Sequence, residues 1–271
     1  MTDSTAPTPR PAGPAAATPA PEDLRVAVLG ARGRMGSEAV QAVRRAPGLQ
    51  LVAELGREDS LEALVAAGAQ VVVDLTVPSV TEGNVRFAVE HGIHCVVGTT
   101  GWDDEGLART AALLARHPGV GVLVAPNFSI GAVLAMRFSA QAARFFESVE
   151  IVELHHPDKV DAPSGTAART AALVGRARRE AGVAPSPDST KQDPGGARGA
   201  LVEDVRVHSV RLRGLVAHQE TLLGNLGEQL TIRHDSFDRI SFMTGVVLGV
   251  REVASHPGLT HGLEGYLDLG L

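Results

Sequence analysis

From Leu24 the chain alternates short apolar runs with amphipathic ones, and that alternation restricts the fold more than any single motif does. Leu24-Arg-Val-Ala-Val-Leu29 is a strand-length run, followed by Gly30-Ala-Arg-Gly-Arg-Met-Gly36 and a helical run from Ser37 to Arg45 that Pro47-Gly48 stops. Leu49 to Leu55 predicts a second strand and Ser60 to Ala67 a short helix. Gln70 to Leu75 predicts a third strand, nearly all valine, as expected where both faces of a sheet are covered. Pro78 to His91 predicts a helix, Ile93 to Val97 a fourth strand and Val120 to Val124 a fifth. Between the last two, Asp103 to His117 predicts a helix with acids in its first turn, where the helix dipole favours them. Strands separated by helices at this spacing require βαβ units and parallel pairing. The expected fold is α/β, a Rossmann-type doubly wound parallel sheet over residues 24–128, with ligands at the carboxyl ends of its strands.

The texture changes after Asn127. Ser129 to Phe146 predicts one long helix with Ile130, Val133, Leu134, Phe138 and Phe145 available for burial. A strand from Val149 to Leu154 and a helix from Thr166 to Arg179 follow, then a polar stretch from Ala184 to Gly199. Val205–Arg213, Gln219–Leu223 and Gln229–His234 predict three strands joined by short turns, an antiparallel meander. Residues 129–243 are thus expected to form a second, α+β domain with a mixed or antiparallel sheet, and Thr244 to His256 a final helix.

With 271 residues, 44% hydrophobic and 21% charged, the chain has ample material for two cores. A net charge of −6 argues against a nucleic-acid or anionic-membrane partner, and no apolar stretch is long enough to span a membrane. The single cysteine, Cys95, excludes an intrachain disulfide, reads as a buried small hydrophobe and fits a cytoplasmic setting. Residues 1–23 hold six of the 16 prolines and lack the basic-then-apolar order of a secretory signal, so they read as a disordered leader.

Three stretches carry chemistry. Gly30-x-x-Gly33-x-x-Gly36 follows a strand and opens a helix, which suits a pyrophosphate on the helix N-terminus; a turn that only packs helix onto sheet is the alternative. At the end of the second strand, where an acid for the ribose hydroxyls is usual, stand Gly56 and Arg57, and an arginine there suits a 2′-phosphate. Gly98-Thr-Thr-Gly101 and Ala125-Pro-Asn-Phe128 end the fourth and fifth strands. Two hydroxyls and two flexible residues in the former could border a nicotinamide, or form an ordinary loop.

The third stretch is Glu153-Leu-His-His-Pro-Asp-Lys-Val-Asp-Ala-Pro-Ser-Gly-Thr-Ala167. Lysine occurs only at Lys159 and Lys191 in a chain with 25 Lys+Arg, and lysine, unlike arginine, can be tuned to release a proton. His155 and His156 are adjacent on a strand and face opposite ways, which argues against a shared metal. Ser164-Gly165-Thr166 opens a helix and offers amides and hydroxyls to an anion, or simply a serine cap. Asp158 and Asp161 either orient the lysine or solvate the loop. Arg211, Arg213 and His218 bring further positive charge to a substrate or line a solvated face.

On these motifs the sequence from Leu24 onward resembles the dihydrodipicolinate reductases, in wording nearest to actinobacterial members. The resemblance implies an NADPH- or NADH-dependent reduction of a cyclic imine dicarboxylate in diaminopimelate and lysine synthesis. It implies His155 as acid/base and Lys159 as proton donor, with His156, Ser164, Gly165 and Thr166 on the substrate. Cofactor would be held by Gly30, Ala31, Arg32, Gly33, Arg34 and Met35. Gly98, Thr99 and Thr100, then Ala125, Pro126, Asn127 and Phe128, would complete its site, with Arg57 at the adenosine end. It further implies a cytoplasmic homotetramer built on the second domain's sheet and a C-terminal segment, 244–271, packed back on the first domain. A different two-domain reductase, such as a diaminopimelate dehydrogenase, or a non-catalytic nicotinamide sensor are the competing readings; a sensor has no need of Lys159 beside a carboxylate-binding turn.

Overall fold

The computed structural model describes residues 23–267; the leader up to residue 22 and the last four residues of the C-terminal segment lie outside them. Along the first half run β1 (Leu24–Leu29), α1 (Arg34–Arg45), β2 (Leu49–Leu55), α2 (Glu62–Ala66), β3 (Val71–Asp74) and α3 (Pro78–Glu90). Then come β4 (His94–Val97), α4 (Asp104–Leu114), β5 (Gly121–Val124) and α5 (Ile130–Ala142). The second half holds β6 (Ser148–His155), α6 (Gly165–Glu180), β7 (Ala200–Val202), β8 (Val205–Arg211), β9 (Ala217–Asn225), β10 (Glu228–Ser236), α7 (Met243–Glu252) and β11 (Gly258–His261).

The first sheet has the order β11-β5-β4-β3-β1-β2 and its pairings are parallel. Val71, Val72 and Val73 of β3 are fully or almost fully buried, as a central strand covered on both faces should be. From β1 the chain steps outward to β2, then returns to β3 on the other side of β1. That reversal opens a crevice at the carboxyl ends of β1 and β3, where open α/β sheets take their ligands. Cys95 is buried in β4, against the apolar layer formed with α3 and α4. Asp103 caps α4 by accepting the Gly106 amide at 2.7 Å, so this acid satisfies a helix-end donor while Asp104 and Glu105 occupy the first turn.

Four expectations are corrected. The parallel sheet has a sixth strand, β11, that pairs with β5. It is short, starts at a glycine and has no apolar alternation to betray it. The second sheet is not a simple meander: its order is β10-β9-β6-β8-β7, with β6 parallel to β8 and antiparallel to β9. Parallel neighbours need a crossover, which α6 supplies. An extra strand, β7, follows directly on the polar stretch. The predicted long helix ends at Ala142 and tightens into a 3₁₀ turn, Ala143–Phe145. Its buried side is small (Ala132, Val133, Ala135, Met136, Ser139) because it packs against α6 and β10, which leaves Phe138 and Phe145 exposed.

The C-terminal segment returns to the first sheet. Val246, Val250, Val253 and Leu263 are fully buried in the cluster built on β1, β3, β4 and β5. Gly245 lets α7 come against the end of β5, since a Cβ there would lie 2.0 Å from the Phe128 carbonyl oxygen. Gly245→Ala is expected to cost about 1–3 kcal/mol through overpacking against rigid backbone. Urea unfolding checks this: an unchanged midpoint would mean that the contact yields freely.

Candidate functional site

A cavity of about 380 Å³ lies where the carboxyl end of the parallel sheet meets the second sheet. Thr100, Pro126 and Asn127 line it from the first sheet, His155, Lys159 and Asp161 from β6 and the loop after it, and Ser164, Gly165 and Thr166 from the start of α6. The opposite wall is His218, Gln219 and His234. Polar contacts cross the junction at its rim: Asn127 Nδ2 donates to Thr166 Oγ1 at 3.2 Å, and Ser129 Oγ lies 3.1 Å from His234 Nε2.

The glycine turn after β1 fits a dinucleotide. Gly30 has φ +75° and a Cβ there would lie 2.5 Å from the Leu75 carbonyl oxygen, so the turn presses onto the end of β3. Gly36 sits over that turn, where a Cβ would be 2.0 Å from the Gly30 carbonyl oxygen. The first turn of α1 has no side-chain cap and no acid, so its amides are left to an anion. Arg32, Gly33 and Arg34 are exposed around it, Met35 is half-buried and Ala31 is buried.

At the tip of β2 the chain departs from the expected pattern. The Arg32 side chain lies over Gly56, and Asp59 reaches back to accept the Gly56 amide at 2.7 Å while pairing with Arg32 at 3.3 Å. Asp59 thus serves the strand tip, where an acid is usual, from three residues beyond Gly56. Arg57 is exposed beside it.

Gly98 packs between Leu75 and Phe128, where a Cβ would come within 2.6 and 2.7 Å of their side chains. Thr99 is turned inward: its hydroxyl bonds Asp74 Oδ1 at 3.1 Å, and the buried Asp74 also takes bonds from Thr76, Thr81 and Asn84. Of the two threonines, only Thr100 faces the cavity. Ala125 and Phe128 are buried, so Pro126 and Asn127 present the segment to the cavity.

In the histidine segment, His155 lines the cavity and His156 does not. Nδ1 of His155 is 2.5 Å from Oε2 of Glu153, a fully buried carboxylate that Arg211 also holds through both terminal nitrogens, at 2.9 and 2.7 Å. Burial alone would raise the Glu153 carboxyl, but Arg211, Ser209 and His155 outweigh it and hold it below the ordinary carboxylate range. Burial lowers His155 from the ordinary imidazole value, and Lys159 and Arg211 add to this while Glu153 opposes it. The side chain of Lys159 is paired with Asp161, whose other oxygen accepts the Gly165 amide at 3.1 Å. The lysine hydrogen bond thereby holds Asp161 below its ordinary range. Asp161 therefore orients the lysine, whereas Asp158 is simply exposed. Ser164 is a cap, its hydroxyl accepting the Ala167 amide at 3.2 Å, which leaves Gly165 and Thr166 as the outward part of the turn.

Of the suspected cations, Arg211 at the end of β8 is committed to Glu153, and Arg213 is exposed in the turn beyond it. His218 does reach the cavity, held by Asp235 at 2.7 Å. Sequence reasoning missed Gln219 and His234, which become wall residues only through the β9–β10 pairing. Gln219 donates to Thr170 at 2.9 Å, and its amide oxygen is unpaired in the cavity wall. Glu153 lies on the same buried phase of β6 as Val149 and Ile151, and an acid on that phase is the signal in the sequence that marks it. Among the described residues no cluster of His, Cys, Asp and Glu is placed to hold a metal.

Burial lowers His94, His234 and His261 as it does His155. The unfolded chain then binds more protons than the native one just below pH ~6.5, so stability should rise with pH through that window. Urea midpoints at pH 5.5, 6.5 and 7.5 should increase in that order; a flat or falling series would contradict the neutral burial of these rings.

Two family models match the chain: "Dihydrodipicolinate reductase, N-terminus" over residues 24–128 and "Dihydrodipicolinate reductase, C-terminus" over residues 131–267. The chain is 64% identical over 246 residues to the 4-hydroxy-tetrahydrodipicolinate reductase of Streptomyces griseus, covering 91% of this chain and 98% of the relative. Against the enzyme of the same name from Nocardia farcinica the identity is 62%, covering 91% and 99%. A dipicolinate-bound dihydrodipicolinate reductase from Paenisporosarcina sp. TG-14 superposes with a TM-score of 0.83 at 39% identity, covering 90% of this chain and 100% of that one.

Proposed function

The chain belongs to the dihydrodipicolinate reductase family, and from that premise we propose that its junction cavity reduces 4-hydroxy-tetrahydrodipicolinate to tetrahydrodipicolinate, a step toward diaminopimelate and lysine. The observation that carries this reading is the meeting, in one cavity, of a lysine, a histidine and a helix N-terminus with the carboxyl end of a nucleotide-type sheet. A carboxylate-bearing substrate and a hydride source are thereby brought to the same acid/base groups. The competing readings explain less: a sensor leaves Lys159 without work, and a different reductase leaves the matching of both halves of the chain unexplained.

A reduced nicotinamide cofactor, when bound, supplies a hydride. Gly30, Ala31, Arg32, Gly33, Arg34 and Met35 would hold its pyrophosphate at the start of α1. Gly98 shapes the floor, and Thr100, Pro126 and Asn127 face the reacting end. Thr99, Ala125 and Phe128 act from behind, by holding that floor in place. Arg32 and Arg57 flank Gly56, so either cofactor is accommodated and a 2′-phosphate gains two cations.

On the substrate side, the Gly165 amide and the Thr166 hydroxyl receive a carboxylate, with Ser164 fixing the turn and His156 next to the site. Lys159 stands beside that turn and donates the proton that the carbon next to the reduced one requires. The 4-hydroxyl first leaves as water to form a conjugated double bond. Hydride at C4 and this proton at the neighbouring carbon are then the two hydrogens gained across it, so the overall step balances as one water lost and two hydrogens gained. His155, held neutral by burial and two cations, is the acid/base group that exchanges protons with the reacting ring. A cytoplasmic homotetramer built on the second sheet completes the reading; Leu226 and Leu230, exposed at the hairpin of β9 and β10, are suited to such a contact.

Two outcomes are expected in an assay of cofactor oxidation with freshly condensed substrate. Lys159→Ala should lower kcat by about 10²–10⁴-fold, the usual contribution of general acid catalysis, with far less change in KM. An unaltered kcat would remove the donor role. Arg57→Ala should raise KM for NADPH by about 5–50-fold, the loss of roughly 1–2 kcal/mol of phosphate pairing, and leave NADH nearly untouched. Equal effects on both cofactors would place Arg57 away from the 2′ position.

A further inference from the structure

We propose that Glu153 is a positioning residue for the reduction: its carboxylate keeps the proton of His155 on Nδ1 and so leaves Nε2 bare toward the cavity. The inference rests on the reading of His155 as the acid/base group.

The strand register makes the acid unusual. In β6 the buried phase is Val149, Ile151 and Glu153, and an aliphatic residue would continue it. Replacing a buried ion pair by apolar side chains is often neutral or stabilising, so packing by itself does not call for a carboxylate here. Nor does Arg211, which a less buried acid could satisfy. What the position provides is a bond from a rigid strand to the ring of a cavity histidine.

The geometry fixes the tautomer. Oε1 of Glu153 accepts from Arg211 Nη2 at 2.7 Å and from the Ser164 amide at 3.2 Å. Oε2 accepts from Arg211 Nη1 at 2.9 Å and stands 2.5 Å from His155 Nδ1. An ionised carboxylate can only accept, so Nδ1 must be the protonated nitrogen and Nε2 the one with a free lone pair. The charged and titratable groups around the ring are Glu153, Lys159 and Arg211 directly. Asp161, His218 and His234 line the same cavity. Of the direct neighbours only Glu153 favours a proton on the ring; the other two oppose it. Through the Ser164 amide the same carboxylate also sets where α6 begins, which places the anion-binding turn relative to the histidine.

The test compares kcat, KM and the pH profile for wild type, Glu153→Gln, His155→Gln and the double variant. In Glu153→Gln an amide of equal size presents a donor to Nδ1 and so favours the wrong tautomer. We expect kcat to fall about 10–100-fold, as for other groups that orient a ligand or base, and the acid limb to move to lower pH because the carboxylate no longer supports the imidazolium. KM for the substrate should stay within about threefold, since the loss falls on the chemical step. Added to His155→Gln, the second change should lower kcat by no more than about twofold, because the two residues act as one unit. A full additional drop in the double variant, or an effect confined to KM, overturns the role of Glu153 and leaves His155 intact. Full turnover by His155→Gln instead overturns the reading of His155 itself, a separate result. Should Glu153→Gln fail to fold, ¹⁵N-histidine NMR of the wild type decides, with the His155 signals identified by their loss in His155→Gln. Protonated Nδ1 with bare Nε2 above pH 7 supports the proposal, and protonated Nε2 overturns it.

Discussion

A carboxylate without solvent exposure, Glu153, is the point on which the second half of the molecule turns. Moving such a charge out of water costs several kcal/mol, and the cost is met only when each oxygen is hydrogen-bonded. The two nitrogens of Arg211, the ring of His155 and the amide of Ser164 meet that demand. Arg211 in turn donates to the Asp161 carbonyl at 2.7 Å. The strand β6, its partner β8, the loop after β6 and the start of α6 are therefore tied to one charge. Removing a partner from a buried pair typically costs about 3–5 kcal/mol, because the remaining charge is left uncompensated. The site geometry is thus coupled to the stability of the second sheet.

The same strand carries the same chemistry a second time, with a different result. Glu150 pairs with Arg198 and with His208, the latter at 2.7 Å, and its burial is opposed by those partners just as for Glu153. Glu150 lies on the outward phase of β6, however, with 32% of its side chain exposed against none for Glu153. Arg198 comes from the polar stretch after α6 and also meets Asp188 at 3.3 Å, so this cluster straps that stretch across the sheet. An acid–arginine–histidine triad is not in itself a catalytic sign. The distinguishing facts are complete burial and a ring that lines the cavity.

Much of this was readable before the structure. The parallel sheet was legible because its strands are short, mainly apolar runs, β3 nearly all valine, each followed within two residues by a glycine, threonine or proline. The rarity of lysine singled out Lys159, which the fold places in the cavity wall. What escaped depended on register or on distance in the chain. β11 is four residues long and has a hydrophobic pattern only in the company of β5. That β6 slots between β8 and β9 reflects a crossover that local periodicity cannot encode. Gln219 and His234 are ordinary polar residues on a strand until pairing aims them at the cavity. Asp59 was hidden by position, since it serves the tip of β2 by folding back from the turn beyond it. Phe138 and Phe145 misled in the opposite sense, because α5 presents its small side chains, not its aromatics, to α6.

Among the described residues Arg211, Arg169 and Lys159 stand at or beside the cavity, each with an acid, and burial distinguishes the three pairs. Arg211 holds Glu153, which is wholly buried, and Arg169 holds Glu264 at 2.6 Å with 20% of that side chain exposed. Lys159 holds Asp161, whose side chain is 46% exposed. An exposed pair is worth about 0–1 kcal/mol, since water solvates either ion once they part, whereas parting a buried pair strands a charge. Exchange of the internal carboxylate for any incoming one is thus cheap at Lys159 and costly at Arg211. The Gly165 amide, which Asp161 also occupies, comes free in the same exchange. Complete burial of its acid makes Arg211 a fixed strut, whereas the part-exposed pairing of Lys159 leaves it, in the loop after β6, the cation that can change partners most cheaply.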